Sequence, residues 1–105
     1  MIHVRFSRIH PDKVEQLKAW FAEVEARADE ARETFVREGV RHEQGFLLET
    51  LDGPVLVYAL ECEDFAAAAE AFGASTAPLD VQHREIMPKL VDTTLDMMPI
   101  IDIRL

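Results

Sequence analysis

Cysteine is nearly absent from this sequence, because Cys62 is the only one among 105 residues. A single cysteine cannot form a disulfide within the chain and cannot supply a cysteine-based zinc site. We expect Cys62, at the end of an apolar segment, to be a small buried hydrophobic residue rather than a nucleophile. The glycine-rich loops that bind nucleotide phosphates are also missing, so the sequence predicts no cofactor.

Basic residues are scarce as well: 11 Lys and Arg stand against 20 Asp and Glu, which gives a net charge of −9. This charge repels the phosphate backbone of nucleic acids and anionic lipid surfaces, so we expect neither nucleic acid nor a membrane as a partner. No apolar run approaches the roughly 18 residues that a membrane span requires. The first residues lack the basic and apolar regions of a secretion signal, and we therefore expect a cytoplasmic protein.

The four histidines show neither the HxH nor the HxxxH spacing of common metal sites. A site built from His3, His42 and His83 with Glu43 or Glu85 would need three separate elements to converge. The sequence therefore predicts no metal site.

An apolar hairpin is the clearest positive feature of the sequence. Two apolar runs, 46–51 and 55–60, flank the turn Asp52-Gly53-Pro54. Gly53 accommodates the positive φ that such turns need, and Pro54, which has no N–H, suits the start of a strand. Apart from Tyr58, the second strand is apolar on both faces, which predicts a central strand covered on both sides.

The remaining segments show strand-like or helix-like periodicity. Period-two alternation predicts strands, and apolar steps of three and four residues predict helices. The expected elements are a strand over 2–9, a long helix over 12–38 whose far end bends or overhangs, a strand over 40–51 with a bulge at Gly45, a strand over 55–62, a helix over 65–72, a helical segment over 78–87 that Pro88 ends or kinks, and a last strand over 93–105. In the long helix Phe21 belongs to the apolar stripe. The adjacent Trp20 cannot share its face, so one of the two is core and the other lines a pocket or a dimer seam.

This order predicts an α+β fold, a ferredoxin-like βαββαβ sandwich whose four-stranded antiparallel sheet carries the helices on one face. Hydrophobic residues make up 49% of the chain, enough for one core and a single domain over residues 1–105. The other sheet face is also apolar, and an exposed patch of that kind usually marks an interface. We therefore expect a homodimer in which two sheets pack face to face and form an α/β barrel.

With this element order, the whole chain resembles the dimeric α/β-barrel superfamily of small ferredoxin-like proteins. That superfamily includes antibiotic-biosynthesis monooxygenases, haem-degrading monooxygenases and the stress-responsive barrel proteins with their polyketide cyclases. The residues that most resemble the functional residues of these families are His3 in MIHVRF and His83 in STAPLDVQHREIM. The resemblance implies a pocket between sheet and helices, with histidine chemistry as in the cyclases or iron ligation by a helix histidine as in the haem-degrading members. The chain lacks the Asn and the strand Trp of the haem-degrading pattern, since Trp20 lies on the first helix, and it has no clear match to the monooxygenase Asn-Trp set.

Four residues are predicted to be catalytic: His3, Arg5, Tyr58 and His83. His3 and Arg5 share the more polar side of the first strand, which this topology makes central. An Arg that orients an anion beside an imidazole base suits a polarised carbonyl or a phenolate. The alternative is a structural ion pair of Arg5 with Glu43, Glu61 or Asp102, because an enclosed charge needs a partner.

His83 follows Asp80 by three residues, a spacing at which a carboxylate can fix the imidazole tautomer and raise its pKa. The alternative for His83 is a surface histidine with a structural hydrogen bond. Tyr58 can donate to a substrate oxygen, and its alternative is a core tyrosine with the hydroxyl at the rim.

Three functions of different classes follow. The first is a cofactor-independent monooxygenase or cyclase that acts on a small aromatic or polyketide-like molecule, with His3 and His83 in acid–base roles. The second is a non-catalytic dimeric module that binds a small ligand or a partner protein. The third is haem or metal binding through His83. A pocket where both histidines converge with Tyr58 favours the first function, and a packed interior without a cavity favours the second.

Overall fold

Four antiparallel strands and four α-helices form the structure, a computed structural model that describes all 105 residues. The strands are β1 (Ile2–Ile9), β2 (Val40–Thr50), β3 (Gly53–Cys62) and β4 (Val91–Leu95). The helices are α1 (Val14–Ala26), α2 (Ala28–Glu38), α3 (Phe65–Ala74) and α4 (Pro78–Leu90), and a 3-10 turn at Pro11–Lys13 precedes α1. The strand order is β2-β3-β1-β4, with β1 and β3 in the centre. This confirms the predicted α+β, ferredoxin-like fold, whose sheet is open in the single chain.

The helix predicted over 12–38 is divided at Arg27, in the middle of the segment, whereas the sequence predicts a bend or overhang at its far end. The backbone of Arg27 leaves the helical region, at φ −107° and ψ 35°. Its guanidinium binds Glu30 of α2 and Gln82 of α4. An unbroken helix of this length would run about 40 Å, whereas the longest extent of the molecule is 36 Å. The break lets α2 pack against α3, α4 and β2.

The last strand is shorter than predicted, because β4 ends at Leu95, opposite Phe6 of β1. Residues 96–105 have no regular secondary structure. Pro99 cannot donate to a ladder, and no strand of the chain lies beyond β4 to pair with this tail. Apolar side chains of the tail are therefore exposed, among them Met98, Ile100, Ile101, Ile103 and Leu105.

The bulge predicted at Gly45 is wrong, and Pro88 does not end its helix, whereas the alternative that Pro88 kinks the helix stays a prediction. Gly45 pairs with Tyr58 in an uninterrupted part of the ladder, and the register of β2 shifts instead between Val40 and His42. Pro88 does not end α4, which continues to Leu90. A proline one turn before a helix end removes little beyond its own missing hydrogen bond, and Leu90, at 1% exposure, anchors the last turn in the core.

The core lies between the sheet and the helices in adjoining clusters. One cluster consists of Ile9, Leu17, Leu56 and Leu90, and another of Trp20, Ala31 and Leu79. Of the adjacent aromatic pair, Trp20 is the core residue, with 4% of its surface exposed. Phe21 is only partly buried at the edge of both clusters. The apolar stripe of α1 is thus centred nearer to Trp20 than the sequence pattern predicts.

No helix combines the length and the apolarity needed to cross a lipid bilayer.

Candidate functional site

A cavity of about 310 Å³ lies between the helices and the half of the sheet formed by β2 and β3. Gly45 helps to keep it open, because a Cβ at this position would stand 3.8 Å from atoms of Phe21 and Tyr58. The apolar walls are Phe21, Val24, Ala28, Ala31, Phe35 and Leu79. Ligand pockets typically measure about 300–1,000 Å³, so this cavity suits a small ligand of one or two rings.

Tyr58 and Glu43 form a half-buried pair on neighbouring strands at the floor of the cavity. The Tyr58 hydroxyl donates a hydrogen bond of 2.6 Å to Glu43 Oε2. Burial raises the pKa of Glu43 and outweighs this bond, which lowers it. Burial and the charge of Glu43 raise the pKa of Tyr58 far above that of a free phenol. The proton therefore stays on Tyr58, and Glu43 is a carboxylate with a high proton affinity, as a general base requires.

His83 of α4 borders the same cavity and is held by Trp20 of α1. The Trp20 indole N–H donates to His83 Nδ1 at 2.9 Å. An indole N–H is a donor only, so Nδ1 is the acceptor and the ring proton of a neutral imidazole sits on Nε2. The Phe21 ring lies 6.2 Å from the rings of both His83 and Tyr58, measured between centroids. Phe21 is thus a neighbour of both polar rings of the cavity.

Asp80 raises the pKa of His83, as predicted, but it does not decide the net shift. Burial lowers the pKa of His83, and it outweighs the opposing attraction of Asp80. The imidazole is therefore neutral near a pH of about 7. With Nδ1 occupied by Trp20, the neutral imidazole has one remaining hydrogen-bond donor, Nε2–H.

A second carboxyl pair, Glu38 and Asp80, stands behind the cavity wall. Glu38 is the last residue of α2, and Asp80 lies in the first turn of α4. Burial, then the hydrogen bond and charge of Asp80, raise the pKa of Glu38 to about 8. The helix dipole favours a carboxylate at the N-terminal position of Asp80 and disfavours one at the C-terminal position of Glu38. The proton therefore resides on Glu38.

His3 and Arg5 do not join His83. They border another, larger cavity of about 910 Å³, which the tail covers in part. His3 stacks on Phe65 with 4.7 Å between ring centroids, and its Nε2 is buried without a hydrogen-bond partner. Arg5 is exposed and forms none of the predicted ion pairs. Tyr58 borders both cavities. Of the four predicted residues, it is therefore the one that shares a cavity with His83 and also shares a cavity with His3. The catalytic roles of all four residues stay predictions.

The sequence assigns no chemical role to Glu38, and it presents Glu43 only as an ion-pair partner of Arg5 or as one carboxylate of a metal site that the spacing argues against. Strand alternation carries a signal for Glu43, because it shares the helix-facing side of β2 with Gly45 and Leu47. A carboxylate on the buried face of an amphipathic strand is a candidate for chemistry. The structure contains no group of three or more His, Cys, Asp or Glu residues that could hold a metal ion.

The fold and the cavity define a class: a ferredoxin-like α+β protein with a ligand-sized space under its helices. Residues 2–102 match a family of unknown function (DUF6176), and the chain belongs to that family. Among solved structures, the chain is similar to Rv0793 from Mycobacterium tuberculosis, at 20% sequence identity and a TM-score of 0.51 over 93% of each chain. A likeness at this identity shows the fold alone. No curated protein matches the chain in sequence.

Proposed function

We propose that this protein is a cofactor-independent enzyme of the dimeric α/β-barrel superfamily that performs acid–base chemistry on a small aromatic or polyketide-like molecule. The observation that supports this most is the convergence of the Glu43–Tyr58 pair and neutral His83 on one aromatic-walled cavity. A non-catalytic binding module would need the cavity, but it has no use for a buried carboxylate of raised pKa.

In the proposed reaction Glu43 takes a proton from a carbon or hydroxyl that is acidified by a carbonyl or an aromatic ring. The negative charge moves to the substrate oxygen, where His83 Nε2–H stabilises it with a hydrogen bond in a desolvated site. Tyr58 orients the Glu43 carboxylate and keeps its own proton. His83 is then a hydrogen-bond donor, whereas the sequence predicts an acid–base role for it together with His3.

Two outcomes are compatible with this first step. In a cyclase the carbanion attacks a second carbonyl of the same molecule, and Glu43 returns its proton to the new alkoxide. In a monooxygenase the carbanion electron pair forms a C–O bond with O₂, and protonation gives a hydroperoxide. Removal of a second proton from the same carbon then forms the C=O bond, breaks the O–O bond and releases water. The two C–H bonds of the substrate supply all four electrons, so no cofactor is required.

The common step is measured by proton–deuterium exchange at the carbon next to the carbonyl of aromatic ketones such as 2-tetralone, followed by NMR in D₂O. We expect the protein to accelerate exchange, and Glu43→Gln to slow the catalysed rate by about 100-fold or more, the usual contribution of a general base. Glu49→Gln is the matched control, because Glu49 is an exposed carboxylate on the same strand. Equal rates for the two variants would contradict the role of Glu43, and binding without exchange would favour the non-catalytic alternative.

Substitution of Gly45 tests whether the cavity is the place of reaction. Gly45 does not have a positive φ, and a Cβ there makes ordinary van der Waals contacts. We expect Gly45→Ala to retain exchange activity and Gly45→Leu to lose it by filling the cavity. The single tryptophan, Trp20, bonds to His83 and so reports ligand binding by fluorescence in each variant.

We also propose that the protein is a homodimer joined through the sheet face that the helices leave open. Phe46 and Leu48 on that face are each 51% exposed, and Ile2 is 73% exposed. Together with the exposed apolar tail, they form more uncovered apolar surface than a small monomer usually keeps. A second copy of the chain has the complementary apolar face by symmetry.

A further inference from the structure

We propose that the ligand of the 310 Å³ cavity carries a protonated amine, which binds the Asp80 carboxylate while its aromatic part packs between Phe21, Phe35 and Tyr58. This inference rests on the proposed function, since it specifies the substrate class of the same cavity. It assigns to Asp80 a binding role, distinct from the proton transfer assigned to Glu43.

The polar end of the cavity lacks a counter-ion from the chain. Glu38, Glu43 and Asp80 are close enough that their charges influence one another. None of them takes part in an ion pair, because the ion pairs of the structure are Lys18–Glu15, Arg27–Glu30, Arg32–Asp29, Arg41–Glu63 and Arg104–Asp102. Carboxylates removed from water need either a proton or a cation.

Asp80 is the residue whose bonding is least complete. It is 6% exposed, and apart from the proton of Glu38 its buried Oδ2 has no hydrogen-bond donor from the chain. Oδ2 is sealed from solvent, as is Oε1 of Glu38, which also lacks a donor from the chain. One shared proton accounts for these two oxygens. It leaves Asp80 Oδ1, on a residue of the cavity wall, as an unpaired acceptor for a ligand.

The other groups around the cavity favour a cation over an anion. Ionisable residues that face the pair or the cavity are Glu25 on α1, Arg32 and Arg37 on α2, Glu43 on β2, Tyr58 on β3 and His83 on α4. Arg32 is held by Asp29 with most of its side chain in solvent, and Arg37 is exposed. His83 is neutral, so no buried positive charge opposes an ammonium group.

Aromatic rings complete the recognition of such a ligand. Phe21 and Tyr58 lie nearly parallel, with 6.2 Å between their centroids and an interplanar angle of 22°. Ring faces attract cations, and more strongly when water is excluded. An aromatic amine therefore satisfies both the carboxylate and the rings, whereas an aromatic acid would meet an acidic wall. The net charge of −9 also attracts cations from solution.

The test compares tyramine with its neutral counterpart 2-(4-hydroxyphenyl)ethanol, which differs only in a hydroxyl for the ammonium group. Isothermal titration calorimetry on the full chain measures both affinities at a pH of about 7, where the amine is protonated. We expect tyramine to bind about tenfold more tightly or better, the difference that a charge-assisted hydrogen bond makes. Asp80→Asn should abolish this preference and leave the affinity for the alcohol unchanged, which also shows that the variant is folded. Glu15→Gln, an exposed carboxylate on α1, should preserve the preference.

Equal affinities for the amine and the alcohol, or an unchanged preference in Asp80→Asn, would overturn the inference. So would the absence of tyramine binding. Ketone exchange that depends on Glu43 would persist in each of these cases, so failure of the amine inference is distinguishable from failure of the proposed function.

Discussion

Three carboxyl groups, one buried and two half-buried, dominate the chemistry of this molecule at the scale of single residues. Glu43 accepts a hydrogen bond from Tyr58, and Glu38 and Asp80 share a proton. Both arrangements meet the same requirement, because a carboxylate taken out of water needs a hydrogen-bond donor. They differ in what the carboxyl group can then do: Glu43 is free to take a proton, whereas Glu38 already holds one.

The proton on Glu38 predicts how stability changes with pH. Its pKa is about 8 in the folded protein against an ordinary value of 4.5, so the folded state binds more protons between these values. The stabilisation is fully present below a pH of about 4.5 and is lost as the pH rises through about 8. We expect Glu38→Gln, which mimics the protonated acid, to remove this decline. Urea unfolding followed by circular dichroism, at fixed protein concentration and a series of pH values, measures the effect.

The control for that series is Glu33→Gln, an exposed carboxylate on the same helix. It should show the decline of the unmodified protein. A Glu38→Gln profile that falls in parallel with the control would mean that Glu38 is ionised near neutral pH and that the pair shares no proton.

At the scale of elements, the helix phase of α1 decides which aromatic residue stabilises the fold. Trp20 packs against Ala31 and Leu79, on α2 and α4. We expect Trp20→Ala to lower the free energy of unfolding by about 3–5 kcal/mol, the usual cost of deleting a buried Trp. Phe21→Ala should cost less, because Phe21 is partly buried and faces a cavity. Urea unfolding of the two variants is followed by circular dichroism. Tryptophan fluorescence is unsuitable, because Trp20→Ala removes the only tryptophan of the chain.

Trp20→Phe separates packing from hydrogen bonding at this position. It keeps most of the ring volume and removes the donor to His83 Nδ1, so the loss should be smaller than in Trp20→Ala. If Phe21→Ala proved as costly as Trp20→Ala, the core would be centred on Phe21, as the apolar stripe of the sequence predicts.

Most elements could be predicted because their causes are local. The turn at Gly53 and the alternation of β1 lie in a few neighbouring residues. The break at Arg27 could not, since no Pro or Gly marks it and its guanidinium is bound by Gln82, 55 residues away. The strand predicted over 93–105 is wrong beyond Leu95 for a related reason. Its alternation predicts a strand, but a strand needs a neighbour and the single chain provides none.

The same distinction applies to the site. His83 and Tyr58 stand out in the sequence because each is a polar ring within an amphipathic or apolar segment, and the structure brings both to one cavity. In the sequence His3 looks equivalent to His83. In the structure it stacks on Phe65 and borders the larger cavity, on the other side of Tyr58. Glu38 and Asp80 belong to different helices, and only the packing of α2 against α4 reveals them as a pair.

The molecule as a whole leaves two apolar surfaces uncovered, the open sheet face and the tail 96–105. We expect a homodimer at micromolar concentration, with a mass about twice the 11.9 kDa of the chain, measured by sedimentation velocity. Ile101→Asp places an unpaired charge in the proposed interface, and an uncompensated charge there should shift the protein towards the monomer.

The matched control is Val36→Asp on α2. Val36 is 83% exposed and Ile101 is 73% exposed, so the two substitutions add the same charge at equally accessible apolar side chains. Val36 lies on the helical side of the molecule, away from the open sheet face, and its variant should remain dimeric. Phe46→Asp, on the sheet face itself, should dissociate the dimer even if the tail lies elsewhere. A mass of about 12 kDa for the unmodified protein would refute the homodimer. Dissociation by Val36→Asp alone would place the interface on the helices, and the open sheet face would then need another explanation.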